Sequence, residues 1–298
     1  MNKKNMITKR IKELLLRFWR SKNDVVVIIR DATFAFIIVL TLLIILWAYT
    51  GQWFTAPMVA IESGSMEHSN PPFGRLGTID AGDMVLLKKV TKHEDIIPHG
   101  GPYGGAEKEK GWRTYGDYGD VVIYKPLGDD NVSQIIHRCI TYVTVTMDEH
   151  GNTYYTIPDY NIYNETSVTI PSLGLYHFPP APQYHWKHSG YLTKGDNNNV
   201  VDQATTICPQ PVKLEWITGK ARSEIPWFGI VNLFFEDVMH GKNTLKNVHE
   251  DSYICFFLVV GGAVSIPIIW DIHDYIKDKK KMKKEEKQPD INHEKPPL

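Results

Sequence analysis

The strongest constraint on this fold is a run of thirty residues, 32–61, without a single charged side chain. Its first part, Ala32–Thr50, is apolar and long enough to cross a bilayer as a helix. A cleavable signal sequence is the alternative, but the run is too long for one and no small-residue cleavage site follows cleanly. We expect a transmembrane helix over residues 32–51, with amphipathic aromatic rings at its far end, namely Trp47, Tyr49, Trp53 and Phe54.

A second uncharged run covers residues 253–270. Gly261, Gly262 and Pro267 lower its helix propensity, although membrane helices tolerate such residues. We therefore predict a second transmembrane helix there.

Basic residues are concentrated outside the two apolar runs. Nine of the 33 Lys and Arg lie in residues 1–31 and eight lie in 271–298. The positive-inside rule then makes both tails cytoplasmic, a basic segment at 1–31 and a Lys-rich tail at 271–298. Residues 52–252 would form an extracytoplasmic domain at the plasma membrane.

The basic N-terminal segment also carries apolar residues at helical spacing, which suggest a helix on the inner membrane surface. A simple basic flank is the alternative. The apolar residues are Ile7, Ile11, Leu14, Leu15 and Phe18.

Charge and cysteine content exclude two classes of protein. The formal net charge of −1 provides no overall field for nucleic acid. Three cysteines cannot build a disulfide framework, and Cys255 lies inside the second apolar run. Cys139 and Cys208 could pair, but nothing in their spacing favours a bridge, so we expect two buried free thiols.

The outward segment reads as mainly β, with short β-branched runs separated by Gly- and Pro-rich turns. Residues 133–147 are the longest such run and predict a half-buried ribbon. Residues 91–119 are rich in Gly and charge without any period, which predicts an exposed loop insertion, and 157–190 read as an irregular excursion. Residues 225–235 are apolar and aromatic and suggest contact with the membrane.

Three polar residues of this segment could carry chemistry, although each is a weak signal alone. Ser65 lies in a Gly-containing turn about a dozen residues beyond the first span, His137 lies in an apolar strand, and Asp196 lies in a tight turn. Such residues usually make turn, core or local backbone hydrogen bonds.

The ordered set of motifs resembles type I signal peptidases of the archaeal and endoplasmic-reticulum class. The resemblance covers roughly residues 35–225 and follows a membrane anchor, as in that family. The matching segments are IESGSME at 61–67, GDMVLL at 82–87, GDVVIY at 119–124, IIHR at 135–138 and LTKGDNN with a later Asp at 192–202.

The resemblance implies a mainly β, signal-peptidase-like catalytic domain with Ser65 as nucleophile and His137 as general base. It places the acidic partner at Asp202 and a second required acidic residue at Asp196. The chain has Val201 before Asp202 where the family has two adjacent Asp, so either carboxylate could orient the histidine.

The resemblance also suggests the Ser63 hydroxyl as an oxyanion donor, beside the backbone N–H of Ser65. Open strand edges beside the serine would bind an extended peptide. We expect Met58, Ile61 and Ile136 to form shallow pocket walls that accept small side chains.

The implied activity is removal of signal peptides from secretory preproteins by a membrane-bound serine endopeptidase. The expected partners are preproteins, the lipid bilayer and the protein translocation machinery, without nucleic acid, metal or organic cofactor. Two alternatives remain open. One is a serine–lysine endopeptidase with Lys88, Lys89 or Lys125 as base, and the other is a non-catalytic membrane assembly subunit that keeps the fold.

Overall fold

The computed structural model describes residues 10, 12, 13, 16, 18–102 and 113–285, and it joins a mainly β domain to two long apolar helices. Helix α1 covers Asp24–Thr50, α2 covers Gly229–His240 and α3 covers Glu250–Glu285. This confirms the predicted fold class. The N-terminal apolar positions 7, 11, 14 and 15, for which a surface helix is predicted, lie outside the described residues.

Helix α1 begins and ends at residues suited to those positions. The Asn23 side chain accepts from the N–H groups of Val25 and Val26, which caps the helix, and Gly51 adopts the left-handed conformation that ends it. The helix therefore starts eight residues before the predicted span.

Both long helices are apolar and long enough to cross a membrane. Helix α3 runs through Pro267 and continues into the Lys-rich segment, well past the predicted end at residue 270. The apolar windows of the two helices have 0% and 6% of their residues buried within the molecule. They are therefore not core helices of the domain, and the chain is a membrane protein.

The described residues of the domain form ten antiparallel strands. Eight belong to one sheet with the order β1-β2-β10-β3-β4-β5-β6, in which β9 also pairs with β4, and two form a separate hairpin, β7-β8. The strands are β1 (Met58–Ala60), β2 (Met84–Lys88), β3 (Val121–Tyr124), β4 (Ile135–Met147), β5 (Thr153–Ile157), β6 (Ile162–Glu165), β7 (Val168–Ile170), β8 (Leu175–Phe178), β9 (Gly190–Lys194) and β10 (Ile217–Ile225).

Strand β4 is the long ribbon predicted from residues 133–147, and it connects the two halves of the domain. Its first half pairs with β3 and β9, and its second half pairs with β5. The register sets His137 opposite Val122 and sets Arg138 between Val121 and Lys194. The candidate base His137 and its neighbour Arg138 are thus fixed at the centre of the sheet.

Residues 157–190 are more regular than predicted. They contain β6, β7 and β8, and their apolar side chains build a core of their own with Val168, Leu175 and Trp186 fully buried. The strands are only three or four residues long, and Pro-initiated turns precede β6 and separate β7 from β8, so the sequence pattern hides them.

The described part of the predicted 91–119 loop is also anchored to the domain. Ile96 is buried, and the N–H groups of His99 and Gly100 donate to the carbonyls of Cys139 and Ile140 at 2.9 Å. The prediction of an exposed loop is therefore wrong for residues 96–101. The expectation for the cysteines is confirmed, since Cys139 and Cys208 are free and buried.

Candidate active site

Ser65 lies in a tight turn that follows β1 and is anchored on both sides. Ile61 before it and Met66 after it are buried in the same core cluster. The N–H of Glu67 donates to the Gly64 carbonyl at 3.2 Å and closes the turn. The Ser63 hydroxyl donates to the Ser65 Oγ at 3.4 Å, so the predicted nucleophile and oxyanion donor lie side by side.

His137 is held by a buried carboxylate. The imidazole is only 3% exposed, and its Nδ1 lies 2.7 and 2.9 Å from the two carboxylate oxygens of Asp202. Asp202 is fully buried in a short turn after β9. A carboxylate on Nδ1 fixes the tautomer in which Nδ1 carries the proton, which leaves Nε2 free to accept one.

Two further side chains hold Asp202 in place. The Tyr124 hydroxyl donates to it at 2.8 Å and the Thr193 hydroxyl at 2.7 Å. These donors compensate the loss of water around a buried carboxylate. Burial and the neighbouring Asp202 charge raise the pKa of the Tyr124 phenol, so Tyr124 remains a protonated donor.

The turn after β9 brings the serine and the histidine together. The backbone N–H of Asn197 donates to the Ser65 carbonyl at 2.9 Å, and its side-chain amide donates to Gly64 at 3.0 Å. A Cβ on Gly195 would lie 2.5 Å from the Ser65 carbonyl oxygen and 2.9 Å from His137 Nε2. The Ser65 carbonyl and the His137 Nε2 therefore lie on either side of Gly195, and any larger residue there would clash with both.

No direct hydrogen bond joins the Ser65 hydroxyl to His137 among those formed by the described residues. Catalytic hydrogen bonds are often long in the absence of substrate and shorten in the reacting complex. Ser65 and His137 nevertheless line the same cleft, which has a volume of about 600 Å³.

The walls of this cleft come from two backbone segments, residues 59–62 on one side and 133–136 on the other. Ile61 and Ile136 are among the lining residues. Met58 is not. The next two residues of β1, Val59 and Ala60, line the cleft in its place.

Asp196 serves a different network from Asp202. Its carboxylate accepts from Arg138 Nε at 2.8 Å and Nη2 at 2.5 Å, and His68 Nε2 lies 2.9 Å from the same group. Asp202, and not Asp196, therefore contacts the imidazole of His137.

Arg138 also ties the segment before β3 to the site. It is 1% exposed, and its Nη1 donates to the carbonyls of Thr114 and Gly119 at 3.0 and 2.7 Å. Arg138, Tyr124 and Thr193 have no predicted role from the sequence, although all three lie in the motifs that carry the resemblance. Their place in those motifs is the signal that could have identified them.

The alternative bases lie elsewhere. Lys88 and Lys89 are exposed on and after β2, and Lys125 forms an ion pair with Asp130. Within residues 18–102 and 113–285, no lysine lines the cleft that contains Ser65. The same part of the chain holds no cluster of three or more His, Cys, Asp or Glu side chains placed to bind a metal.

Comparison with known proteins does not add to this geometry. No model of a known protein family matches the chain, and no curated protein matches it in sequence.

Proposed function

We propose that this protein is a membrane-anchored serine endopeptidase that removes N-terminal signal peptides from secretory preproteins. One observation carries the proposal. Ser65 and His137 line one cleft, and Asp202 is bonded to the far nitrogen of the imidazole. This is the order of groups that a serine nucleophile with a histidine base uses for acyl transfer.

Each residue has a defined step. The Ser65 Oγ attacks the scissile carbonyl while His137 Nε2 accepts its proton and later delivers it to the leaving amine. Asp202 keeps the proton of Nδ1 in place and stabilises the imidazolium formed during attack. The Ser63 hydroxyl, which lies 3.4 Å from the Ser65 Oγ, and the Ser65 backbone N–H would donate to the developing oxyanion.

The shape of the cleft favours an extended peptide as substrate. Strand β1 is an edge strand that pairs only with β2 among the described strands, so its second side can add a peptide strand. Val59, Ile61, Ile123 and Ile136 line the cleft with apolar surface. This suits the small apolar side chains that precede a signal-peptide cleavage site.

The membrane helices support a substrate that is itself held in lipid. Helix α1 ends at Thr50, only eight residues before β1, which keeps the cleft near the bilayer. We propose that the domain is extracytoplasmic at the plasma membrane with both tails cytoplasmic, where preproteins leave the translocation machinery. The concentration of Lys and Arg in the two tails supports this orientation.

The test uses the full chain purified in detergent with a labelled preprotein. We expect Ser65→Ala and His137→Ala each to abolish cleavage. Lys125→Ala is the matched control, because it removes one of the alternative bases, and we expect it to cleave normally. Circular dichroism of each variant checks that the fold is kept.

The outcomes separate the alternatives. Activity that survives His137→Ala but not Lys125→Ala would support a serine–lysine peptidase. A wild-type protein that cleaves no preprotein, with Ser65→Ala silent in every assay, would indicate the non-catalytic assembly subunit.

A further inference from the structure

Helix α2 has three different faces. One is buried against the domain through Ile230 and Leu233, and a second carries Asn232, Glu236 and His240 at four-residue spacing. The third face is apolar, and each of its residues is between 40% and 72% exposed to solvent. Its members, including the residue that precedes the helix, are Phe228, Val231, Phe234, Phe235, Val238 and Met239.

This exposed apolar face is unusual for a helix that packs on a folded domain. At 100° per residue its six side chains occupy one continuous arc of about 140°. Large apolar faces of this kind are normally covered by protein or by lipid. The buried face already packs against the domain, so either lipid or a second protein surface must cover the exposed face.

The position of α2 indicates which medium that is. Its buried face packs with Phe256 and Val260 of α3, near the beginning of the apolar part of that helix. The Phe228 ring makes an edge contact with Phe256, with ring centroids 6.0 Å apart. The exposed face is therefore continuous with the outer surface of α3, where Phe257 and Val264 are exposed.

We propose that α2 is an interfacial helix whose apolar face lies in the boundary between lipid headgroups and acyl chains. Its axis lies along the bilayer surface, with the row of Asn232, Glu236 and His240 directed to water. Because Ile230 shares a cluster with Ala60 of β1, the helix fixes the edge of the cleft at the height of the membrane surface. This inference depends on the helices and not on the peptidase activity.

Depth-dependent fluorescence quenching tests the orientation. The full chain with Cys255→Ser keeps two buried cysteines that do not react in the folded state. A single new cysteine is then added and labelled with an environment-sensitive dye, at Val238 on the apolar face or at His240 on the polar one. The side chains at both positions are well exposed, 66% and 58%, so they are a matched pair.

The protein is reconstituted into phosphatidylcholine vesicles that contain a lipid with a nitroxide high on its acyl chain. We expect the label of Val238→Cys to be quenched about threefold more strongly by this lipid than that of His240→Cys, with the reverse order for aqueous iodide. Met239→Cys, on the same apolar face, repeats the measurement if Val238→Cys does not fold.

Two results would overturn the proposal. Equal iodide quenching at both positions, without quenching by the lipid, would place the apolar face in water. Protection of the Val238→Cys label from both quenchers would show that a second protein surface covers it.

Discussion

Replacing Gly195 by Ala should separate the proposed catalytic geometry from general stability. The new Cβ would lie 2.5 Å from the Ser65 carbonyl oxygen, whereas an ordinary carbon–oxygen contact needs about 3.3 Å. It would also lie 2.9 Å from His137 Nε2, on a ring that Asp202 holds. The Ser65 backbone and the His137 ring must therefore move apart by about 1 Å, and a displacement of this size costs about 10²-fold in rate.

Gly195 directly follows the end of β9, and the matched control is Gly190→Ala at the start of that strand. Its Cβ would lie 2.7 Å from the Val212 carbonyl oxygen, an overlap of similar depth away from Ser65. Both substitutions overpack the domain and should cost about 1–3 kcal/mol of unfolding free energy.

The assay compares kcat/KM for preprotein cleavage by the folded fraction of each variant, with thermal unfolding in detergent as the stability measurement. We expect about a 10²-fold loss for Gly195→Ala and little loss for Gly190→Ala. Equal kcat/KM values for the two variants would refute the reasoning, because the overlap at Gly195 would then leave the catalytic pair undisturbed.

Three further predictions concern the groups around the site. Tyr124→Phe removes one donor to the Asp202 carboxylate and should cost about 2 kcal/mol in thermal unfolding, with a lower kcat in the cleavage assay. Arg138→Lys loses the paired contact with Asp196 and most of its bonds to backbone carbonyls, so it should cost about 3 kcal/mol or more and speed limited proteolysis. Burial raises the pKa of Asp83 to about 7, so the native state binds a proton that the unfolded chain has released. Stability should then fall by on the order of 3 kcal/mol as pH rises from about 4 to about 7 and level off above, and Asp83→Asn should flatten this part of the unfolding profile.

The sequence predicts those parts of the fold that a local pattern determines. The uncharged runs predict both long helices because helix length and apolar composition alone suffice for a membrane span. The β-branched run of β4 predicts a long strand for a similar reason. The short strands between residues 157 and 190 are missed, because three or four residues between Pro-initiated turns carry too little alternation to be recognised.

Tertiary contacts decide which carboxylate contacts His137, a question that the sequence left open. The sequence favoured Asp202 over Asp196 as the partner of the histidine but did not decide between them, because Val201 stands where the family has a second Asp. The choice depends on the paths of β3 and β4, which set Tyr124 and His137 around Asp202. No residue pattern within 192–202 contains that information.

The two carboxylates have separate tasks that follow from the register of β4. His137 and Arg138 are adjacent, so their side chains point to opposite faces of the sheet, and each needs its own acidic partner. Asp202 meets the imidazole on one face and Asp196 meets the guanidinium on the other. The turn that carries both also bonds to the Ser65 carbonyl through Asn197, so a change at either acidic residue is transmitted to the serine by one rigid turn. Loss of activity alone therefore cannot distinguish the roles of the two carboxylates. Substitution of Asp202 should remove the hydrogen-bond partner of the His137 Nδ1 proton, whereas substitution of Asp196 should leave that hydrogen bond in place. NMR of the imidazole detects this difference directly.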